Sequence, residues 1–377
     1  MGYFLKLYDR PLLKFEVLEN LADPVLRIDW IDEQCKNLLP IGMTVSEEGL
    51  SRWLTHRSIP KNRAYVHSFL SKCGLNANRP MDIISICRGL SLNDAYWVTE
   101  DTFDETFDKY NLYENNLSRI LGLIAFTGYG SSVRSTFASS PEFTTNGMLP
   151  KCWRRSNGKV MLYKGGTSGA SNAGMEPYSE LYASIIGQTA EFNVIPYRLA
   201  KWKGQLCSVC DLFTDKDTSY VPVGRIIKAG GMRAVRQFYE ELGQKFVAAL
   251  NEMIVFDAII CNTDRHFGNF GVLIDSHTNK IIAPAPLFDH GNSLFNFAGS
   301  ENWETEELLQ AYIDTLLPQT YEDFIDEARK YIDDRLKERM KHLLSFTLVS
   351  SGRYNYPVKQ RHMIEQQVRK RAGLILK

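Results

Sequence analysis

The apolar pattern between Gly231 and Asn262 constrains the fold of this chain more than any other sequence feature. Apolar side chains recur there every three to four residues, which predicts a long amphipathic helix. The members of this stripe are Val235, Phe238, Leu242, Phe246, Leu250, Ile254 and Ala258. The polar stretch CNTDRHFGNFGV follows at once. Burying charged or amide side chains without partners costs on the order of several kcal/mol. The stretch therefore indicates either a network of paired polar groups or a solvent-filled active-site cleft.

The bulk composition is that of an ordinary globular protein. A length of 377 residues predicts two or three structural units. The 44 basic and 44 acidic residues balance, which gives no electrostatic case for a nucleic acid or a membrane as partner. The seven cysteines show no disulfide spacing, and no apolar run approaches the ~18 residues of a membrane span. We therefore expect a cytoplasmic protein without a membrane contact.

Local patterns predict two β-hairpins in the middle of the chain. The first turns at Asn157-Gly158 and ends near Lys164, and the second turns near Lys203-Gly204. A helix that carries Pro177 in its first turn and Glu180 one turn later is predicted between them. Two further short strands follow the polar stretch, with Asp289 beyond the second. A loop rich in Ser, Thr and Gly, residues 127–147, precedes the first hairpin.

These residue types match the requirements of phosphoryl transfer from ATP. That reaction needs a loop over the phosphates, a lysine on them, a carboxylate that holds the lysine, acid and amide ligands for Mg²⁺, and a carboxylate near the attacking hydroxyl. The chain supplies them in a workable order, as Lys164, Glu180, Asp264, Asn269 and Asp289. The sequence therefore predicts a kinase site with ATP and Mg²⁺ as cofactors.

The stretches NTDRHFGNF and LFDHGNSL resemble the catalytic and metal-binding loops of HipA-like serine/threonine kinases. The resemblance covers about residues 126–377, and its D-R-H-x-x-N core is shared with phosphatidylinositol 3-/4-kinase-like enzymes. It implies that Asp264 is the catalytic residue and that Asn269 and Asp289 bind Mg²⁺. It also implies that Lys164 holds the ATP phosphates, with Glu180 as its ion-pair partner.

The same resemblance implies a hinge and a phosphate-covering loop. The strand end LCSVCDLF, with Val209 and Asp211, is expected to meet adenine through its backbone, and Ser131 and Ser132 are expected to lie over the phosphates. The chain departs from the protein-kinase pattern in two places: D-F-G is replaced by D-H-G, and GYGSSV lacks a third glycine. HipA-like kinases are regulated by phosphorylation of a serine in this loop. The candidates here are Ser131, Ser132, Ser135, Ser139 and Ser140.

We predict an α+β, bilobal kinase-like fold with a small antiparallel β lobe and a larger α-helical lobe. Residues 1–125 form an α-rich accessory region of unassigned role, residues 126–230 the small lobe, and residues 231–377 the helical lobe. The expected function is phosphorylation of a Ser or Thr hydroxyl on a protein, as in toxin–antitoxin kinases, with autophosphorylation and an antitoxin-like partner. The alternatives are a kinase for a lipid or small alcohol, and a regulatory module without turnover.

Several residues have a simpler interpretation. Glu176 competes with Glu180 as partner of the lysine, because a first-turn glutamate is favoured by the helix dipole. Arg265 and His266 are expected to shape their loop, and Cys207 and Cys210 to pack in the core. The basic C-terminal stretch is expected to be a solvated helix face, with contact to a nucleic acid or an acidic partner as the weaker alternative.

Overall fold

A computed structural model describes residues 1–18, 25–133, 140–170, 172–350 and 352–377. The chain forms two compact units, each assembled from three segments. The first unit consists of Met1–Tyr163, Leu212–Val221 and Leu273–Ile282. The second consists of Lys164–Asp211, Pro222–Val272 and Ala283–Lys377. All the predicted site residues except Ser131 and Ser132 belong to the second unit.

The first unit contains a four-stranded antiparallel sheet. Its strands, in the order β3-β2-β1-β4, are β1 (Gly2–Leu7), β2 (Arg10–Leu18), β3 (Val25–Ile31) and β4 (Tyr96–Glu100). In the register of the sheet, Leu5 of β1 lies opposite Leu13 of β2 and Val98 of β4. These three side chains are buried, so alternate residues of the central strands form the core of the unit.

Four helices belong to the same unit, namely α1 (Glu47–Thr55), α2 (Val66–Lys72), α3 (Pro80–Cys87) and α4 (Arg119–Thr127). Helices α1 and α3 pack against the sheet, and α2 packs against α4. The prediction of an α-rich region over residues 1–125 was therefore incomplete, because the region contains the sheet as well. Strand β4 pairs with β1, although the two strands lie almost 90 residues apart in the sequence. The periodicity of apolar residues in a short window does not reveal such a non-local pairing. The predicted boundary at residue 126 falls inside α4.

The two predicted hairpins are present. Strands β5 (Lys151–Ser156) and β6 (Lys159–Gly165) join at Asn157 and Gly158, which have φ of 51° and 76°. In the second unit, β7 (Tyr197–Trp202) and β8 (Gln205–Asp211) join at Lys203 and Gly204, with φ of 51° and 83°. Two consecutive residues of positive φ are the requirement of the tight turn that matches strand twist.

The predicted helix after Lys164 is α5 (Glu176–Thr189), with Pro177 in its first turn. The strands predicted around the polar turn SHTNK are β10 (Gly271–Asp275) and β11 (Ile281–Pro284). They form a three-stranded sheet with β9 (Thr218–Pro222), in the order β11-β10-β9. A short helix, α6 (Val223–Ile226), follows β9.

The long helix predicted from the apolar stripe is two helices. They are α7 (Gly231–Leu242) and α8 (Gln244–Ile260), separated by Gly243 with φ 105° and ψ 174°. Only glycine adopts this backbone conformation readily, so the chain turns there although the apolar period continues. The prediction of one continuous helix was wrong at this residue.

Helix α8 forms the centre of the helical part of the second unit. It packs against α7 and against two of the remaining helices, α10 and α12. The C-terminal helices are α9 (Glu306–Ile313), α10 (Phe324–Tyr331), α11 (Asp334–Lys341) and α12 (Val358–Leu376). The helical C-terminal part was predicted correctly. Within the described ranges, no helix is long and apolar enough to cross a membrane.

Candidate active site

Lys164 lies at the centre of a buried ion cluster. It occupies the last residue but one of β6, and its Nζ donates to Glu180 Oε1 at 2.7 Å and to Asp289 Oδ1. The lysine side chain is 8% exposed, that of Glu180 0%, and that of Asp289 33%. The opposite oxygen of Glu180 accepts a hydrogen bond from the backbone N–H of His290 at 2.8 Å. Helix α5 thus fixes one side of the cluster and the Asp289 segment the other.

The charges of this cluster do not cancel. Burial alone would lower the pKa of Lys164, but Asp289 and Glu180 together raise it above its usual value, so the group stays an ammonium ion. Two carboxylates then face one cation, which leaves an excess negative charge when both are ionised. The partly exposed member is Asp289. This environment favours an additional cation beside Asp289.

Glu176 has a different role from Glu180. Its two carboxylate oxygens each lie 3.1 Å from the backbone N of Thr167, where they accept a hydrogen bond. The side chain is buried and closes the loop that joins β6 to α5. Of the two glutamates considered from the sequence, the structure brings Glu180 to Lys164.

Asp264 and Asn269 lie on one loop after α8. Asn269 Nδ2 donates to the carbonyl of Asp264 at 3.2 Å, and the backbone N–H of Asp264 donates to Asn262 Oδ1 at 3.1 Å. Because the Asn269 amide nitrogen is used in this way, its Oδ1 is the atom left to bind a cation. Burial raises the pKa of Asp264 above its usual value, and His266 opposes this only partly.

Arg265 connects this loop with the Asp289 segment. Its guanidinium is buried, and Nη1 donates to the carbonyls of Asn269 at 2.9 Å and Phe288 at 2.8 Å. His266 is exposed, and its Nδ1 accepts from the backbone N–H of Gly268 at 3.0 Å. Both residues shape the loop, which agrees with their interpretation from the sequence.

The backbone around Asp289 is strained. Asp289 itself has φ 59°, and Leu294 and Phe295 have φ of 52° and 61°. Non-glycine residues avoid this left-handed region, and such residues concentrate at functional sites where the surroundings hold them. Here the backbone N–H of Asp289 donates to the hydroxyl of Tyr197 at 3.3 Å.

The remaining predicted site residues lie on other elements. Val209 is buried in β8 opposite Arg198, and Asp211 ends the strand with its Oδ1 3.8 Å from Arg198 Nη1. Ser131 and Ser132 are exposed and follow α4 in the first unit. Ser135 and Ser139 lie outside the described residues, and Ser140 is buried.

Most basic residues of α12 donate hydrogen bonds to other segments of the second unit. Lys359 donates to the carbonyl of Glu304, Arg369 to that of Phe346, and Arg371 to that of Ala258. Lys370 donates to Gln310 Oε1. These bonds attach the helix to the unit, so the basic stretch is not simply a solvated face.

The sequence interpretation missed two polar residues of the site, Asp257 and Asn262. Asp257 is the only charged residue in the apolar run IVFDAII, and Asn262 is the second residue of the polar stretch CNTDRHFGNFGV. Both are buried, and Asn262 Nδ2 donates to Asp257 Oδ1 at 2.9 Å. A lone carboxylate in an apolar helix was the available signal, because burial of a charge demands a partner.

Comparison with solved structures identifies the type of fold. No protein-family model matches the chain, and no curated protein sequence matches it. Among solved structures, HipA of Shewanella oneidensis MR-1, determined as a complex with HipB and operator DNA, is similar over 98% of this chain and 96% of that chain, with a TM-score of 0.54 and 13% identity. The chain has a HipA-like kinase fold.

A second solved structure is similar over part of the chain. The Helicobacter pylori proinflammatory kinase CtkA is 17% identical, covers 62% of this chain and 90% of that chain, and has a TM-score of 0.48. The HipA-like fold agrees with the predicted α+β class and with the resemblance on which that prediction was based. At these identities the likeness concerns the fold alone.

Proposed function

We propose that the chain is an ATP- and Mg²⁺-dependent phosphotransferase that phosphorylates a Ser or Thr hydroxyl of a protein. The observation that carries the proposal is the buried cluster in which Lys164 binds both Glu180 and Asp289. Phosphoryl transfer relies on positioning and electrostatic stabilisation, and a lysine held by a glutamate beside a metal-binding aspartate is its recurring arrangement in protein kinases. A purely structural ion cluster would not require the strained, partly exposed Asp289.

In this proposal, each residue has one role. Lys164 holds the ATP phosphates, and Glu180 keeps its ammonium group in place. Asp264 accepts or orients the proton of the attacking hydroxyl, and its raised pKa makes it a better proton acceptor near neutral pH than an exposed aspartate. Val209 and Asp211 provide the hinge that meets adenine, and Ser131 and Ser132 belong to the phosphate-covering loop.

Asn269 and Asp289 are the proposed Mg²⁺ ligands. Within the described part of the chain, no group of three or more His, Cys, Asp or Glu side chains could hold a metal ion. Kinase magnesium does not need such a group, because it takes one or two protein oxygens and completes its ligands with phosphate and water. Asp289 supplies a carboxylate and Asn269 an amide oxygen, so these residues fit the ion. When bound, Mg²⁺ neutralises charge on the transferred phosphoryl group.

The proposed partner is based on the similarity to the S. oneidensis HipA structure. The S. oneidensis HipA structure contains HipB and operator DNA, so we propose an antitoxin-like protein as partner, with any DNA contact made through that partner. We also propose that the protein acts as a toxin and that it phosphorylates itself on a serine of the phosphate-covering loop. Of the candidate serines in described positions, Ser131 and Ser132 are exposed and Ser140 is buried.

Transfer of labelled phosphate from ATP tests the function. The wild-type chain is incubated with Mg²⁺ and either a cell lysate or phosphoinositide vesicles, and the labelled products are identified by mass spectrometry. Label on Ser or Thr of a protein supports the proposal, whereas label on lipid alone supports the lipid-kinase alternative. The control is Asp264→Asn, whose turnover should fall by about 100-fold or more because the proton-handling group is lost. Nucleotide binding without transfer by the wild type would indicate the regulatory module instead.

A further inference from the structure

Asp257 lies one turn before the end of α8 and is 1% exposed. Its Oδ2 accepts from Arg265 Nε at 2.9 Å, and its Oδ1 accepts from Arg265 Nη2 at 3.0 Å. This is the two-pronged arrangement in which a guanidinium and a carboxylate fix each other's orientation. The same Oδ1 also accepts from Asn262, as described above.

Every N–H group of Arg265 has an acceptor. Two of the five point to Asp257, two point to the carbonyls of Asn269 and Phe288, and the fifth is directed at His290 Nδ1, 3.2 Å from Nη2. Phe288 and His290 are the chain neighbours of Asp289. One guanidinium therefore holds the backbone of Asn269 and both neighbours of Asp289.

Asp257 reaches the third site residue by a second route. Asn262 donates to Asp257 and accepts from the backbone N–H of Asp264. The position of Asp264 and the spacing of Asn269 and Asp289 are thus linked to one carboxylate that lies inside the helix. Partners of this kind, which orient metal ligands without touching the metal, change metal affinity or activity by about 10–100-fold when they are lost.

We propose that Asp257 is a positioning residue of this site, acting through Arg265 and Asn262 to set the geometry of Asp264, Asn269 and Asp289. The inference rests on the proposed function and extends it to a residue that touches neither nucleotide nor metal. A buried ion pair can also be retained for stability alone, or be replaceable by apolar residues at no cost. The distinction is that a positioning role alters the response to Mg²⁺, and a stabilising role does not.

The test compares Asp257→Asn with Glu252→Gln. Glu252 lies on the same helix and forms an ion pair of 2.8 Å with Arg339, with 12% exposure of each side chain. Its other oxygen accepts from the backbone N–H of Asn193. Glu252→Gln therefore removes a half-buried negative charge that is paired with an arginine, as Asp257→Asn does, but at a different place on the helix. Measured quantities are kcat, KM for ATP, and the Mg²⁺ concentration that gives half-maximal rate.

Asp257→Asn should raise the Mg²⁺ requirement or lower kcat by about 10-fold or more, with a smaller change in KM for ATP at saturating Mg²⁺. Glu252→Gln should stay within about twofold of the wild type in both quantities. Equal behaviour of the two variants would overturn the proposal. If Asp257→Asn does not fold, Arg265→Lys takes its place in the test. A lysine keeps the positive charge but cannot make all five hydrogen bonds of the arginine. Arg265→Lys should therefore raise the Mg²⁺ requirement in the same way.

Hydrogen exchange separates this proposal from the function on which it rests. If the wild type transfers no phosphate under any condition, the proposed function fails. The backbone N–H groups of Asp264 and His290 should nevertheless exchange faster in Asp257→Asn than in Glu252→Gln. Asn262, which accepts from Asp264, and Arg265, which contacts Phe288 and His290, both bind Asp257 in the wild type. Unchanged exchange at both positions would overturn the positioning role independently of catalysis.

Discussion

At the residue scale, the environment of Asp264 bears most directly on the proposed chemistry. The residue is half-buried on a loop whose backbone is hydrogen-bonded to the side chains of Asn262 and Asn269. Burial raises the pKa of its carboxyl group. Burial disfavours the ionised form of a carboxyl group, so a partly buried carboxylate is a stronger base than an exposed one. Under the proposed function, the pH at which the site becomes active therefore depends on this residue.

The pH dependence of the reaction follows from that shift. In the proposed function the ionised form of Asp264 is the active one, so the rate should increase as pH rises through its pKa. Because the pKa is raised, kcat/KM should increase at a higher pH than the ~3.9 of an ordinary aspartate. The measurement is kcat/KM between about pH 4 and pH 8, with Asp264→Asn as the variant that should lose the increase. A flat profile for the wild type would contradict the assignment.

Asp289 offers a second prediction at this scale. Asp289→Asn should weaken Mg²⁺-dependent binding of ATP by about 10-fold or more, because the carboxylate carries the charge that holds the ion. Calorimetric titration with and without Mg²⁺ measures the effect. Asp334→Asn, at a fully exposed acid of α11, is the control and should bind as the wild type does. Equal affinity of Asp289→Asn and wild type with Mg²⁺ would remove Asp289 from the metal site.

At the scale of elements, α5 is held by a close approach that only glycine allows. A Cβ built on Gly187 would lie 2.5 Å from Val194 Cγ1 and 2.9 Å from Cγ2. The helix carries Glu180, so its position relative to the following chain also positions the partner of Lys164. Gly373 in α12 differs, because its added Cβ would meet only Leu344 Cδ2, at 3.9 Å.

These two glycines provide a matched pair. Gly187→Ala should lower the free energy of unfolding by about 1–3 kcal/mol, since the clash exceeds the gain in helix propensity. Gly373→Ala should instead raise it by up to about 1 kcal/mol, because alanine is favoured over glycine in a helix. Denaturant unfolding of both variants measures the difference. The same sign for both changes would show that the contact with Val194 does not control the position of α5.

Elements with local signals could be predicted from the sequence, and those without them could not. The hairpins turn where Asn157-Gly158 and Lys203-Gly204 predicted, because the turn chemistry lies in adjacent residues. The break at Gly243 was missed, because the apolar period continues across it. The ion pair of Asp257 with Arg265 was missed as well, because only the fold brings the two side chains together.

At the scale of the whole molecule, the first unit depends on segments that lie far apart in the sequence. The backbone N–H of Tyr220 donates to the carbonyl of Asn93 at 2.8 Å, and Asn279 Nδ2 donates to that of Leu39 at 2.9 Å. Residues 212–221 and 273–282 thus find their partners within residues 1–125. The predicted accessory region and the predicted kinase lobes share this unit.

A fragment of residues 126–377 should therefore fail to fold independently. It would lack β1–β4, and it would cut α4 at residue 126. We expect aggregation or loss of cooperative thermal unfolding, measured by gel filtration and near-ultraviolet circular dichroism with the full chain as the control. A soluble fragment that unfolds cooperatively would show that the two predicted lobes fold without residues 1–125.

The discontinuous first unit also has a consequence during synthesis. Translation proceeds at about 5–20 residues per second, and the last segment of this unit, Leu273–Ile282, emerges long after Tyr163. The partners of Leu39 and Asn93 are therefore absent for several seconds on the ribosome. During that interval the nascent chain exposes apolar surface that the finished protein buries, which makes this unit the expected binding site for chaperones that act on growing chains.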